Sequence, residues 1–252
     1  MIDQGGELSG TAATTFTAVL DGLTAVPLSL FPTLRVTSAT DESGAALLLS
    51  LRRLNRIRAL DPAANLAVAE AGVILADLHA AAAAAGRRFP LTLGAKGSAT
   101  IGGLVSTNAG GTQVLRHGSM RAQVLGIEAV PADGSVFDAL TALKKDNRGF
   151  DLKQLLIGSE GTLGIITAAT LRLVPALAER AVLWAGLGSV EDTPRLLAHA
   201  RNVAGDALEG FEIMPRHCLE SVLRHVPGTR SPLAGEHEWH ALIELAADAG
   251  GA

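Results

Sequence analysis

The sequence predicts an α+β fold, and three observations support this prediction. Short apolar runs typical of strands are mixed with helical segments, beginning with strand, strand and helix between residues 45 and 85. Asp133-Gly134 separates two strand-like runs, as the turn of a hairpin does. Hairpins and a mixed order of elements favour an α+β domain over a doubly wound parallel sheet.

The elements of the first part of the chain are indicated by apolar runs and their end signals. We predict strands at 45–51, 66–71, 124–130, 135–138 and 165–174, and helices at 75–85, 101–108 and 151–156. Gly86 ends the first helix, Thr100 caps the second, and Pro175 ends the long last strand. The apolar-rich segment 75–85 is therefore a soluble helix.

A second part follows the junction at 175–178. We predict strands at 182–187, 207–213 and 239–245, and helices at 193–203 and 217–225. Pro194 lies near the first turn of its helix, where proline is tolerated. The expected domains are residues 1–175 and residues 176–252, and the second one shows no closing element.

Composition excludes several classes of function. A net charge of -4 and an aromatic content of 3%, with no Tyr, argue against binding to DNA or RNA. We interpret the local basic patch of Arg52, Arg53, Arg56 and Arg58 as a solvated face.

The single cysteine and the N-terminal segment bear on the cellular compartment of the protein. One cysteine, Cys218, excludes an internal disulfide framework and indicates a reducing cytoplasm, with Cys218 as a small core residue. We find no targeting signal and no transmembrane segment, since Asp21, Pro27 and Pro32 interrupt the apolar stretch at 17–34.

Two glycine clusters carry the functional signal. The first glycine cluster is residues 102–111, Gly-Gly followed by Ser-Thr-Asn-Ala-Gly-Gly after two residues, and the second is residues 158–164, Gly-Ser-Glu-Gly-Thr-Leu-Gly. Glycine lets backbone N–H groups approach a pyrophosphate closely, and the short polar side chains add hydrogen bonds. The alternative is a pair of glycine-rich turns with no ligand. Neither cluster fits the P-loop or the Rossmann fingerprint, so the hypothesis points away from ATP and NAD.

Several motifs together resemble one family. They are residues 90–103, 106–111, 116–118, 143–152 and 158–166. They are similar to the FAD-linked oxidases of the vanillyl-alcohol-oxidase type, and most similar to the branch of D-lactate, glycolate and D-2-hydroxyglutarate dehydrogenases. The resemblance is specific over residues 41–175 and weaker through Leu245.

The resemblance implies a two-subdomain FAD-binding domain followed by the start of an α+β cap domain. It implies cofactor contacts at Pro90, Leu93, Gly94, Ser98, Ile101, Gly102, Gly103, Ser106, Thr107, Asn108, Ala109, Glu160, Gly161, Gly164 and Ile166. The implied reaction is hydride transfer from a D-2-hydroxy acid to FAD, giving the 2-oxo acid, with an unidentified electron acceptor.

The chain departs from the family pattern in two places. Family members carry a Gly-Gly-Asn-Thr-Gly type of loop before the segment matching residues 41–44, whereas residues 27–40 contain no glycine, so residues 1–40 are atypical. A shifted reading frame or a displaced start is one hypothesis for this loss. Family members also continue past Ala252, and their catalytic and metal-site histidines lie in that part.

No catalytic residue and no metal site is assigned from the sequence. His237 and His240 are one residue short of the His-Glu-x-x-His spacing. His79, His199, His217 and His225 lie on predicted helices, and His117 has no visible acid partner.

Three functions stay open. The first is the flavin-binding part of a 2-hydroxy acid dehydrogenase that needs a missing portion for activity. The second is a truncated, non-catalytic remnant or interaction module, and the third is a soluble α+β protein with purely structural glycines.

Overall fold

The structure is a computed structural model that describes residues 35–36, 49–143, 147 and 149–248. These residues form two compact units. Unit 1 contains the described residues up to Phe89 together with Gly94–Ala109 and Met120–Leu173, and unit 2 contains Pro90–Leu93, Gly110–Ser119 and the residues from Val174 onward.

The elements are numbered in chain order. The strands are β1 (Arg35–Val36), β2 (Leu49–Ser50), β3 (Ile57–Asp61), β4 (Leu66–Glu70), β5 (Arg87–Arg88), β6 (Val124–Val130), β7 (Phe137–Ala139), β8 (Ile165–Arg172), β9 (Val174–Pro175), β10 (Leu177–Leu187), β11 (Leu208–Pro215) and β12 (Trp239–Asp248). The helices are α1 (Leu75–Ala84), α2 (Ile101–Ser106), α3 (Val114–His117), α4 (Met120–Gln123), α5 (Lys153–Leu156), α6 (Thr193–Ala204) and α7 (Arg216–His225), with 3₁₀ turns at Val190–Asp192 and Gly205–Ala207.

Unit 1 is built on a five-stranded sheet of order β3-β4-β8-β6-β7, in which each neighbouring pair is antiparallel. Its central strands carry fully buried alanines, among them Ala67, Ala69 and Ala169. These small side chains let helices pack closely on the sheet. A separate ladder pairs β1 with β2.

Most predicted elements of unit 1 are confirmed. Helix α1 ends where Gly86 takes a φ of +67°, and the β6–β7 hairpin turns at Gly134 with a φ of +77°. Helix α2 stops at Ser106 instead of 108, because Asn108 has a φ of +48° that cannot continue a helix.

Other predictions for unit 1 need correction. The long strand predicted at 165–174 is broken, since β8 ends at Arg172 and β9 begins at Val174. Strand β3 was not predicted. Of the strand predicted at 45–51, residues 49–51 fall within the described residues, and β2 occupies the first two of them. The glycine-free stretch 27–40 lies almost entirely outside the described residues.

Unit 2 contains a three-stranded antiparallel sheet of order β10-β12-β11. Its core is Leu208, Ala241 and Ile243, against which Leu196 and Leu197 of α6 pack. All predicted strands and helices of this part are confirmed, and the strands run longer than predicted. The α+β class is therefore confirmed, whereas the functional boundaries at 1–175 and 176–252 stay a prediction.

The fold also bears on the predicted burial of Cys218 and on membrane-spanning helices. Cys218 is exposed on α7, so its prediction as a core residue is wrong. Among the residues that the structure describes, no helix is long and apolar enough to cross a membrane.

Candidate functional site

The first glycine cluster forms α2 and the turn after it. Thr100 precedes the helix with extended backbone, and its Oγ1 accepts a hydrogen bond from Gly103 N at 3.3 Å. Gly102 lies against Ala71, where a Cβ would come within 2.5 Å of the Ala71 Cβ. Glycine is thus required at 102 for close packing of the helix on the sheet.

The first backbone N–H groups of α2 bind the protein itself. Ile101 N donates to Val73 O at 2.9 Å, and Gly102 N donates to Ala71 O at 2.7 Å. A pyrophosphate nest at these two amides, as the glycine pattern suggested, is therefore not what the structure contains. Both residues are buried, which makes their contribution to the site a structural one.

The second glycine cluster is a turn with several left-handed residues. Gly158 and Gly161 each have a φ of +82°, and Glu160 between them has a φ of +52° although it carries a side chain. A non-glycine residue with positive φ is strained, and such strain is found preferentially at functional sites. The turn itself is closed by Thr162 N, which donates to Ser159 O at 3.0 Å.

The structure brings the two clusters together within unit 1. Gly158 N donates to Val105 O at 3.1 Å, and Glu160 N donates to Ser106 O at 2.9 Å. We call residues 105–108 with residues 157–161 the glycine junction. The sequence predicted that both clusters serve one ligand, and this contact between them supports that prediction.

An arginine that the sequence analysis missed lies at the same place. Arg121 N donates to Asn108 Oδ1 at 2.9 Å, and its guanidinium donates to the carbonyl oxygens of Gln154 and Ile157. No sequence signal marked it, because an arginine's partners are set by the fold and lie up to 36 residues away here.

The predicted site residues divide by exposure. Those with an exposed surface are Gly94, Ser98, Gly103, Thr107 and Glu160, and those partly exposed are Ser106, Asn108, Ala109 and Gly161. Those buried are Ile101, Gly102, Gly164 and Ile166, and Pro90 and Leu93 belong to unit 2. The buried group shapes the backbone and cannot meet a ligand through its side chains.

The exposed group leaves room for a ligand. Within the described residues, no heavy atom lies within 4 Å of the position that a Cβ would take at Gly94, Gly97 or Gly161. Ser98, next to Gly97 in the chain, and Thr107 present exposed hydroxyl groups in unit 1. Open glycine positions beside short hydroxyl groups fit the polar parts of a dinucleotide.

A charged network lies on one face of the unit 1 sheet. Glu70 of β4 and Glu128 of β6 both stand opposite Ala168 of β8, and Arg58 bridges them with bonds of 3.1 Å and 2.8 Å. Arg56 adds a bond of 2.9 Å to Glu70. The interpretation of a solvated basic face is wrong for Arg58, which keeps 27% of its side chain exposed and pairs with two glutamates, whereas Arg56 stays 74% exposed while it binds Glu70.

The network shifts the titration of its members. Burial opposes ionisation of Glu70, but hydrogen bonds from Arg56 and Arg58 outweigh it and lower the pKa of Glu70 below its ordinary value. The hydrogen bond from Arg58 lowers the pKa of Glu128, and the bond to Glu128 raises the pKa of Arg58. Both glutamates are thus ionised partners of Arg58 at neutral pH.

Unit 2 has an ionic cluster of its own. Arg116 of α3 pairs with Glu209 at 3.2 Å and with Asp248 at 2.8 Å. His117 Nε2 lies 3.8 Å from Glu209 Oε2, so His117 does have an acidic neighbour, contrary to the sequence analysis. Glu209 is 92 residues away from His117 in the chain, so this contact could not be predicted from the sequence.

Two further histidines of unit 2, His237 and His240, lie next to each other. Trp184 Nε1 donates to His240 Nδ1 at 3.0 Å, and His237 packs edge-on to His240. Burial, then the charges of His237 and Arg216, lower the pKa of His240. Among the described residues, no three His, Cys, Asp or Glu side chains are grouped so that they could hold a metal ion.

Comparison with known proteins identifies the domain and its cofactor. The family described as FAD binding domain matches residues 32–139. The prediction of FAD as the cofactor is thereby confirmed, and the open glycine positions of unit 1 are compatible with it.

Relatives extend the similarity beyond that domain. D-2-hydroxyglutarate dehydrogenase, mitochondrial, of Arabidopsis thaliana is 40% identical over 198 residues, which is 79% of this chain and 35% of the relative. The Bos taurus enzyme of the same name is 42% identical over 200 residues, 79% of this chain and 36% of the relative. The chain thus spans about a third of the length of these relatives.

A solved structure supports the fold. Alkyldihydroxyacetonephosphate synthase superposes with a TM-score of 0.65 at 17% identity, over 77% of this chain and 38% of that one. At such low identity the likeness concerns the fold alone.

One expectation is overturned by the relatives. The proteins from Arabidopsis thaliana and Bos taurus are described as mitochondrial, which points away from the cytoplasmic location inferred from Cys218. A low cysteine count excludes a disulfide framework but does not distinguish one reducing compartment from another.

Proposed function

We propose that this chain, which belongs to the FAD-linked oxidase family through its FAD-binding domain, is the flavin-binding part of a D-2-hydroxy acid dehydrogenase. The proposed reaction is oxidation of the 2-hydroxy acid to the 2-oxo acid, and it also requires a separate electron acceptor. Residues 1–175 are the FAD-binding domain and residues 176–252 the beginning of a cap domain.

The single observation that carries the proposal is the glycine junction. Two segments some fifty residues apart are joined by hydrogen bonds from Gly158 N to Val105 O and from Glu160 N to Ser106 O. The junction itself presents the exposed Thr107 and the partly exposed Ser106, Ser159 and Gly161, short polar groups and open backbone of the kind that a polar cofactor can meet. The positive φ of Glu160, which is uncommon for a residue with a long side chain, is a further reason to place function at this turn.

Bound FAD supplies the hydride acceptor for such a reaction. The chain's own residues would hold and orient it. The backbone at Gly94, Gly103 and Gly161 would approach the cofactor closely. The hydroxyl groups of Ser98 and Thr107, which donate to Ala95 O and Gly103 O, would accept hydrogen bonds from it. The buried Ile101, Gly102, Gly164 and Ile166 would keep this backbone in place.

No residue of the chain is assigned as the group that takes the substrate's hydroxyl proton. His117 is largely buried beside Glu209 and Arg116, so its surroundings explain it as part of an ionic cluster. The chain covers 35% of the Arabidopsis thaliana relative, and we place the catalytic groups in the part of the enzyme that lies outside this stretch.

Spectroscopy of the purified chain tests the proposal. We expect a yellow protein with the oxidised flavin spectrum, or a colourless one that takes up added FAD with quenching of flavin fluorescence. A chain that neither carries nor takes up FAD would refute cofactor binding and favour the non-catalytic remnant.

A second measurement tests whether the chain oxidises a 2-hydroxy acid. Anaerobic addition of D-2-hydroxyglutarate or D-lactate should bleach the flavin if the substrate-binding groups are present. Chemical reduction with dithionite serves as the control that the bound flavin is reducible. Binding of FAD without bleaching by either acid would limit the function of this chain to holding the cofactor.

A further inference from the structure

Arg121 occupies a particular place in the glycine junction. It lies on α4, and its backbone N donates to Asn108 Oδ1, which fixes the residue that ends the first glycine cluster's helix. Its guanidinium Nη1 donates to Gln154 O at 2.8 Å and to Gln154 Oε1 at 2.6 Å, and its Nη2 donates to Ile157 O. Arg121 therefore bonds to both sides of the junction, to Asn108 through its backbone N and to Gln154 and Ile157 through its side chain.

The packing around Gly158 shows how tight this arrangement is. A Cβ at Gly158 would lie 3.2 Å from Arg121 Nη2 and 3.2 Å from Asn108 Cβ. Gly158 is left-handed, and so is Asn108. Arg121 thus lies against two of the left-handed residues of the junction, Asn108 on one side and Gly158 on the other.

We propose that Arg121 is a positioning residue for the cofactor, which holds the second glycine cluster at the distance from the first that FAD binding requires. The inference rests on the proposed FAD binding and adds a residue that touches neither a predicted ligand atom nor the reacting atoms. Its action passes through Asn108 and Gly158 to the exposed residues Thr107 and Glu160.

The chemistry of the guanidinium explains why arginine is needed. Three acceptors on two residues are met by two nitrogen atoms of one planar group. A lysine ammonium is a single flexible point charge and cannot hold the same three acceptors in one plane. Arg121→Lys is therefore expected to keep the charge and lose the geometry.

The experiment compares Arg121→Ala with a matched control in the same unit. Arg87 is also partly buried and makes the same kinds of bonds, to Pro62 O at 2.9 Å and to Asn65 Oδ1 at 2.6 Å, but it lies outside the glycine junction. Arg87→Ala therefore removes an arginine with comparable hydrogen bonds, to one backbone carbonyl and one side-chain amide, at a place away from the proposed cofactor site. Each full-length variant is titrated with FAD, and its melting temperature is recorded.

We expect Arg121→Ala to raise the dissociation constant for FAD about 10-fold or more, the scale of a lost charge-assisted hydrogen bond. Arg87→Ala should lower the melting temperature comparably and leave the dissociation constant within about twofold. Added guanidinium at about 20 mM, far below denaturing concentrations, should restore FAD binding to Arg121→Ala alone.

Each outcome decides the inference. Wild-type affinity in Arg121→Ala overturns it, and so does equal weakening in both alanine variants without rescue by guanidinium. If Arg121→Ala does not fold, Arg121→Lys replaces it, and wild-type affinity in the lysine variant overturns the inference in the same way. Failure of the unmodified chain to bind FAD is a separate result, which refutes the proposed function and this inference with it.

Discussion

Two adjacent glycines of α2 should respond in opposite ways to alanine. At Gly102 a Cβ would lie 2.5 Å from Ala71 Cβ and 3.1 Å from Ala71 Cα and O. At Gly103, which is exposed, the nearest atom would be the Thr100 Oγ1 at 3.1 Å. Both substitutions add one methyl group to the same helix, so they differ in surroundings alone.

The expected magnitude follows from these distances. Carbon atoms pack best at about 3.5–4.0 Å, so the contact at Gly102 is about 1 Å too short. Ala71 Cβ is bonded directly to the backbone and cannot rotate away, so α2 must move, at a cost of about 2–3 kcal/mol. Alanine recovers about 1 kcal/mol of helix propensity, which leaves Gly102→Ala about 1–2 kcal/mol less stable than the unmodified chain.

Gly103→Ala gains the same helix propensity and costs little. The Thr100 side chain has to shift by a few tenths of an ångström, which weakens its capping bond slightly. We therefore expect Gly103→Ala to be about 0.5–1 kcal/mol more stable than the unmodified chain. Because Gly103 is exposed at the proposed cofactor site, the Gly103→Ala variant should nevertheless bind FAD more weakly than the unmodified chain.

Urea unfolding followed by far-UV circular dichroism measures both variants. Trp184 and Trp239 both lie in unit 2, so tryptophan fluorescence in the same samples reports that unit separately. With a typical slope of about 2 kcal/mol per M, Gly102→Ala should lower the midpoint by about 0.7 M. Equal midpoints for Gly102→Ala and Gly103→Ala would refute the reasoning from packing.

Four further predictions concern the rest of unit 1. Arg58→Met should lower the free energy of unfolding by about 2 kcal/mol, less than for a fully buried pair because Arg58 keeps 27% of its side chain exposed, and a double-mutant cycle with Glu128→Gln should show coupling. Folding lowers the pKa values of Glu70 and Glu128, so their ionised forms stabilise the folded state above about pH 4.3, and this stabilisation is lost as the pH falls through the folded pKa values. The free energy of unfolding of Arg58→Met should therefore fall less on acidification than that of the unmodified chain. Thr170→Val should be neutral or stabilising by up to about 1 kcal/mol, since its buried Oγ1 has no hydrogen-bond partner among the described residues, and a clear loss in thermal melts would contradict this. Gly161→Ala should cost about 1 kcal/mol because of its φ of +82°, although its surroundings are open, and unchanged stability would show that the turn can rearrange.

Local structure was largely predictable from the sequence. The stop at Gly86, the cap at Thr100 and the hairpin turn at Asp133-Gly134 depend on residues that are neighbours in the chain. The resemblance of separated motifs likewise identified FAD as the cofactor before any geometry was known. Each of these signals is carried by residues whose backbone preference or motif spacing can be read directly.

Long-range partners were not predictable. Arg58 was interpreted as a solvated surface charge and is bound to Glu70 and Glu128, the second of which is 70 residues away. Gly102 was expected to face the cofactor and instead packs on Ala71. Arg121 carried no signal at all, although it contacts both glycine clusters.

The sequence by itself therefore determined the α+β class, most element positions and the identity of the cofactor, because these follow from local backbone preferences and from family motifs. Only the tertiary structure decided which glycines lie in the core and which lie at the surface, and which arginines pair with buried carboxylates. The physical reason is that packing distance and ion pairing depend on which segments meet in space. Neither quantity is encoded in the spacing of residues along one segment.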